Sequence, residues 1–488
     1  MKQKDFLTNL ILLIILNLLI KPVWVLGIDI GVQNSVGAAE YGLYFAVFNF
    51  TFLFNMLLDM GITNFNNRNI ARHSQLAGKH LSGILTLKLL LGLFYLIVTF
   101  AVGLLIGYRD IQLKILFWTA INQLLNSLIL YLRSNITALM KFKTDSILSV
   151  LDRLLMILFC GVLLWGNVTK GPFRIEWFIY SQTAAYAISA FIALLVVIRN
   201  AKPQKLYWNL SFFRMILKKS FPFAILYLLM SFYNRIDSVM IERILPESIS
   251  ALETGIYASA FRLLDALVMI SYLFSVILLP LFSRMLKDKE DLTPIIRTSF
   301  SLLFYFAVTA TILLLNFRYP VLDFLYTEHV TESADVFRFL LPCIIPISFT
   351  YIFGTLLTAN GNMKLLNITS IVGIGVNVLV NLLLIPRMHA VGAAVASLST
   401  QTVVAAVQIF IVSKELKFSL SILPYRRCLI YLALMIPVGY LSSTYLPFNA
   451  LISIILAGVF SFLLAFATRL LSMDFLKEFN LKKHKDTY

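Results

Sequence analysis

Residues 227–245 read YLLMSFYNRIDSVMIERIL, and residues 253–265 read ETGIYASAFRLLD. Both runs are apolar enough to sit in a bilayer. Yet Asn234, Arg235 and Asp237 lie inside the first, and Arg262 and Asp265 inside the second. A charge held at mid-membrane depth costs from about 2.5 to more than about 10 kcal/mol, so such residues persist where they face a bundle interior or a wet cavity, near a partner. The pattern predicts a membrane protein with a polar interior, for which the rest of the chain supplies the wall.

The chain has 488 residues, 59% of them hydrophobic and 13% charged, and its mean hydropathy is +0.86. No soluble domain needs that much apolar surface. A spanning helix takes about 20 apolar residues, so the length accommodates roughly fourteen spans joined by short loops. Apolar runs and their breaks place the spans at 7–30, 40–64, 81–107, 112–137, 146–166 and 175–198, then at 220–243, 253–282, 294–316, 334–359, 365–385 and 390–413, and finally at 428–446 and 449–471. The expected fold is an all-α polytopic membrane protein: an N-terminal six-helix lobe (1–200), a basic cytoplasmic connector (201–219), a C-terminal six-helix lobe (220–414), and a last helix pair with a basic tail (415–488).

The formal net charge is +17. In a soluble protein that balance would suggest nucleic acid. Here it is read as the lysines and arginines of cytoplasmic loops, in contact with membrane lipids and not with nucleic acid. With both termini in the cytoplasm, one side collects Arg68, Arg72, Lys79, Lys141, Lys143, Lys202, Lys205, Lys218, Lys219, Arg284 and Lys287, while Arg109, Arg174, Arg318 and Arg387 fall on the other. Moving the register by one helix reverses this bias. The N-terminal apolar run after Lys2 and Lys4 has no small-residue cleavage site and is read as an uncleaved first helix. No connection exceeds about twenty residues, which leaves no room for a soluble catalytic domain and argues against an enzyme. Cys160, Cys343 and Cys428 lie in apolar segments without metal-site spacing.

The chain also repeats itself. Glu40-Tyr41-Gly42-Leu43-Tyr44 and Glu253-Thr254-Gly255-Ile256-Tyr257 both read E-x-G-[LI]-Y, 213 positions apart. A six-helix repeat returns the chain to the same side of the membrane, so the copies are expected to be parallel, and transporters commonly bind substrate at such a repeat interface.

No Walker A pattern occurs, the five histidines are scattered, and no catalytic serine or cysteine constellation stands out. What carries chemistry is the intramembrane polar set. Asn122, Asn126 and Arg133 share one helix face, as do Asn49, Phe52, Met56 and Asp59. Arg262 and Asp265 stand at i, i+3 and can pair. Lys21, Lys88, Arg133, Arg153, Arg235 and Arg262 outnumber Asp59, Asp152, Asp237 and Asp265. This bias suits an anionic headgroup such as a pyrophosphate bearing sugars, since arginine binds phosphate oxygens bidentately. The candidate substrate contacts are therefore Arg133, Arg235, Arg262, Lys88 and Lys21, with Asn122, Asn126, Asn234, Tyr44 and Tyr257 for sugar hydroxyls. Asp59, Asp152, Asp237 and Asp265 are candidates for ion coupling or structural pairing. The competing reading makes these groups interhelical glue. It is strongest for Asp152/Arg153 and Arg262/Asp265, and weaker for Lys21, Lys88 and Arg133, which have no acid nearby in sequence.

EYGLYFAVFNFTFLFNMLLDMGITNFNNRNIAR at 40–72, RIDSVMIERIL at 235–245, LLPLFSRM at 278–285, LLTANGNMK at 356–364 and LLLIPRMHAVGAAVAS at 382–397 resemble the polysaccharide (O-antigen type) flippases. These belong to the multidrug/oligosaccharidyl-lipid/polysaccharide exporter superfamily. The resemblance implies two six-helix lobes in a V, alternating access, and export of an undecaprenyl-pyrophosphate-linked oligosaccharide across a bacterial plasma membrane. It supports Arg235 and Asp237 directly. No cofactor is expected, and coupling to a Na+ or H+ gradient stays open, as do a polysaccharide polymerase and chain-length machinery as partners. A cation-coupled multidrug antiporter of the same fold is the alternative, with Asp59 and Asp29 as its acids. A membrane glycosyltransferase or polymerase fits less well, for want of a large exoplasmic loop.

Overall fold

The computed structural model describes residues 16–17, 19–20, 22–63, 66, 70, 77–139, 141–166, 168, 171–201, 208–416, 423–445 and 449–471. Among them helix dominates and strands are absent. A π-helical stretch, Val23–Asp29, leads into α1 (Ile30–Val36) and α2 (Ala38–Leu53), followed by the short α3 (Met56–Asp59). Then come α4 (Ala77–Leu105), α5 (Asp110–Ala138), α6 (Phe142–Trp165), α7 (Ile175–Ala201), α8 (Leu210–Ile244) and α9 (Glu247–Asp288). The chain continues through α10 (Thr293–Asn316), α11 (Arg318–Leu325), α12 (Val330–Leu340), α13 (Ile344–Asn360), α14 (Met363–Glu415), α15 (Tyr425–Tyr445) and α16 (Ala450–Ala467).

Eleven described helical segments are long and apolar enough to cross a membrane. One of them, 363–415, covers two expected spans. Its continuity is broken at His389, whose backbone takes φ 49° and ψ −129°, three residues after Pro386. The expected span at 40–64 is also interrupted. Phe54 and Asn55 leave the helix, and Met60 and Gly61 take positive φ before the chain turns on. Part of the first span, 7–30, lies outside the described residues. The expected connector is partly helical, because α8 begins at Leu210. α1 and α2 are joined by Gly37 alone, at φ 84° and ψ 162°, a conformation closed to side chains with a Cβ.

Bilayer packing explains which faces are bare. Lipid tails are as apolar as leucine, so burying leucine between helices is not what drives them together. On α4, Leu89, Leu93 and Ile97 recur every fourth residue and stand exposed, while Leu87, Lys88, Leu91 and Tyr95 turn inward. On a soluble protein such a stripe would be a sticky patch; here it is the lipid-facing wall.

The chain packs as two units, one comprising Met1–Ala258 with Ile385–Ala390, the other Ser259–Leu384 with Val391–Tyr488. In the first, Leu81, Ile84, Leu87, Tyr131, Leu132 and Ile216 form part of a buried apolar cluster. In the second, α10 packs against α13 and the last helix pair. Phe300 and Phe349 stack at 4.8 Å, and Thr309 and Tyr431 hydroxyls meet at 2.6 Å. Ser271 bonds to Ser348 at 2.8 Å.

Candidate functional site

The repeated motif organises the first unit. A Cβ built on Gly42 would overlap the carbonyl oxygen of Ala251 and the backbone of Gly255; one built on Gly255 would overlap the carbonyl of Ala38. The two copies of E-x-G-[LI]-Y therefore cross each other, glycine against glycine. The small side is required because the backbones themselves touch. Gln33 locks the crossing by donating its Nε2 to the Gly255 carbonyl at 3.1 Å. The glutamates act in parallel. Glu40 accepts the backbone N–H of Ile175 at 3.1 Å, at the start of α7. Glu253 accepts the N–H of Ala390, also at 3.1 Å, just past the His389 break, and its other oxygen lies 3.3 Å from the His389 ring. Helix N-termini leave such donors unsatisfied and favour a negative partner.

Two predicted substrate cations are in close ion pairs. Lys88 Nζ lies 2.5 Å from Asp59 and donates to Ser127 at 2.9 Å. Asp59 is held in turn by the Thr63 hydroxyl and backbone N–H, across the turn that ends α3. Arg133 makes a bidentate pair with Asp145, at 2.8 and 3.3 Å. Neither acid is close to its partner in sequence: Lys88 and Asp59 come from different helices, and Asp145 was not singled out from the sequence at all.

The asparagine and tyrosine candidates knit helices together. Asn122 accepts from Thr183 at 2.7 Å and sits 3.4 Å from the Gln182 amide. Gln182 donates to Tyr44 at 3.0 Å. Tyr257 donates to Asp237 at 3.0 Å, and Tyr41 donates to Asp29 at 3.0 Å. Asn234 turns back on the Met230 carbonyl, while Asn126 is half-buried. Arg235 lies over the Phe52 ring at 5.4 Å. Arg262 and Asp265 are half-buried on α9 and belong to the second unit. Lys21 lies outside the described residues.

Arg153 is placed differently. It stands beside Asp152 at 3.6 Å, with the rings of Trp24 at 5.5 Å and Tyr186 at 5.8 Å. Trp24 in turn stacks on Phe178, which meets Tyr44 edge-on. Sequence reading leaves Asp152 and Arg153 open between a structural pair and a functional one; it has no way to find Trp24 and Tyr186, which are remote in the chain.

A second polar cluster was not foreseen. Arg243 pairs with its neighbour Glu242, donates to the Ile106 carbonyl at 3.0 Å and covers the Tyr108 ring at 4.6 Å. Gln112 donates to Glu242 at 2.6 Å. This ties the end of α8 to the α4–α5 turn. Tyr108 in that turn has its phenol pushed up by burial, with Glu242 adding to the effect. The residues IERI at 241–244 gave no signal beyond a charged helix end.

The family model described as polysaccharide biosynthesis protein matches residues 6–286, and the MatE model matches residues 222–383. No curated protein matches the chain. Among solved structures it is similar to the lipid II flippase MurJ in an inward closed conformation, at 15% identity over 94% of this chain and 99% of that one, with a TM-score of 0.73. It is also similar to an inward-facing multidrug resistance MATE family transporter, at 13% identity over 83% of this chain and 99% of that one, TM-score 0.61. A third is a MOP superfamily transporter from Pyrococcus furiosus with a binding pocket of reverse polarity, at 13% identity over 84% of this chain and 95% of that one, TM-score 0.60. At these identities the solved structures speak to the fold, which they share along most of their length. The family match spans more than half the chain, including both copies of the repeated motif, and the chain belongs to the polysaccharide biosynthesis protein family of the multidrug/oligosaccharidyl-lipid/polysaccharide exporter superfamily.

Proposed function

We propose that the protein is a transporter, not an enzyme, that moves a lipid-linked oligosaccharide carried on undecaprenyl pyrophosphate across the bacterial plasma membrane by alternating access. The observation that carries this reading is the family match over 6–286, which covers a unit whose helices hold lysine and arginine at membrane depth. Lys88 and Arg133 are closely paired with aspartates, whereas Arg153 is only loosely paired with Asp152, and its charge favours an anionic headgroup over a cationic drug. The MatE match over 222–383 favours the second reading, a cation-coupled multidrug antiporter. The two differ in the sign of the cargo.

The test is lipid-linked glycan analysis in a strain lacking the protein. Intermediates should accumulate on the cytoplasmic leaflet, with no change in resistance to cationic drugs. Normal glycan export with drug sensitivity would replace the flippase reading by the antiporter. Orientation is tested separately. Cysteines at Ser211 and Asp288 should label only from the cytoplasm, and those at Gly171 and Glu328 only from outside; labelling of Gly171 and Ser211 from one side would reject the topology.

A further inference from the structure

Arg153 is a cation whose hydrogen-bonding capacity the fold leaves largely unused. Lys88 and Arg133, also within transmembrane helices of the first unit, bond to carboxylates at 2.5 and 2.8 Å. Arg243 is bonded to Glu242 and to a carbonyl. Among the described residues Arg153 has no such partner. Its nearest carboxylate oxygen, on Asp152, is 3.6 Å from Nε, well beyond the roughly 2.7–2.9 Å of a charge-assisted bond. Its only hydrogen bond among the described residues runs from one terminal nitrogen to the sulfur of Met156, at 3.5 Å. A guanidinium carries five N–H donors, and a thioether is a weak acceptor.

The rings of Trp24 and Tyr186 hold this side chain in place. Cation–π contact engages the charge but leaves the in-plane N–H edge uncommitted. Trp24 is fixed by its stack on Phe178, and Trp24 and Tyr186 are both buried, so the arginine is oriented from two helical segments besides its own. Asp152 balances the charge from a distance at which it can be displaced. Asp29, engaged by Tyr41, adds a second negative charge to the neighbourhood. An anion must therefore compete for the fork, and what binds also leaves, as a carrier requires.

We propose that Arg153 is the anion contact of the first unit: a substrate-binding residue that takes a pyrophosphate or a sugar carboxylate edge-on, with Asp152 as its exchangeable counter-ion and Trp24 and Tyr186 as its positioning residues. This rests on the lipid-linked glycan reading above. Pyrophosphate and uronic-acid carboxylate share the planar oxygen pair that the fork accepts, and the two sources are separated by the probes.

The test uses the full-length protein in nanodiscs, with binding measured for a short-chain polyprenyl pyrophosphate and, separately, for a glucuronic-acid-containing oligosaccharide. For the probe that the site takes, Arg153→Gln should weaken affinity about 10- to 100-fold. Arg153→Lys should recover part of it, keeping charge without the fork. Asp152→Asn should tighten binding by removing the competitor, a gain that a purely structural pair would not give. Loss for the pyrophosphate alone assigns the carrier headgroup, and loss for the acidic glycan alone assigns the sugar. Where Arg153→Gln does not fold, the Lys and Asn variants decide. Unchanged affinity for both probes in a folded Arg153 variant, or no gain in Asp152→Asn, overturns the assignment while wild-type binding stands. Failure of the wild type to bind either probe overturns the lipid-linked glycan reading itself.

Discussion

At the scale of single residues, a membrane-buried charge is cheap only when something answers it. Lys88 and Asp59 answer each other at 2.5 Å, so Lys88→Ala should leave a carboxylate without its counter-ion and cost about 3–5 kcal/mol, read as a lower melting temperature in detergent. Lys88→Met combined with Asp59→Leu removes both charges and should recover most of that loss. If the double variant is stable and still exports glycan, Lys88 is structural; if it is stable but inactive, the pair belongs to the transport cycle. Sequence alone identified these residues as costly but not their partners. Hydropathy located Lys88 and Arg133 inside helices. Their acids lie on other turns and helices, and only packing brings them within reach. Arg153 shows the converse: its acid was its immediate neighbour and legible at once, whereas the aromatic rings that distinguish it come from elsewhere in the chain.

Helical elements were readable wherever a long apolar run ended in polar residues, as at α5 and α10. They were misread where the chain keeps its hydropathy but changes its backbone. The run at 40–64 stays apolar through Phe54, yet the helix breaks there, whereas the break at His389 falls between the expected spans 365–385 and 390–413, where Pro386, Arg387 and His389 interrupt the apolar run. His389 holds a backbone conformation suited to glycine, a strain of about 1–3 kcal/mol, and Glu253 anchors both its ring and the next N–H. His389→Gly should therefore raise thermal stability, because the contact with Glu253 that it gives up is partly exposed and worth less than the strain. Glu253→Ala should lower it by about 0.5–2 kcal/mol, the ordinary cost of a lost helix cap. A melting-temperature series on these two variants separates the contributions; a fall for His389→Gly would mean that the pairing outweighs the strain.

For the whole molecule, the all-helical membrane fold and the family followed from length, composition and motif, because a bilayer imposes helix on any chain that crosses it. The repeat was legible as two short matching strings; that the strings would meet was not. Gly42→Ala should force the α2 and α9 backbones apart and cost about 1–3 kcal/mol or more in stability, measured as reduced folded yield and melting temperature. Gly255→Ala should behave alike, and the double variant should cost less than the two together, since the first displacement already makes room for the second. This reciprocity is that of a symmetric dimer, where one patch faces its own copy across a two-fold axis. Its consequence reaches into how such a chain can evolve. At the crossing each copy is the other's environment, and a change tolerated by one must also be tolerated by its twin.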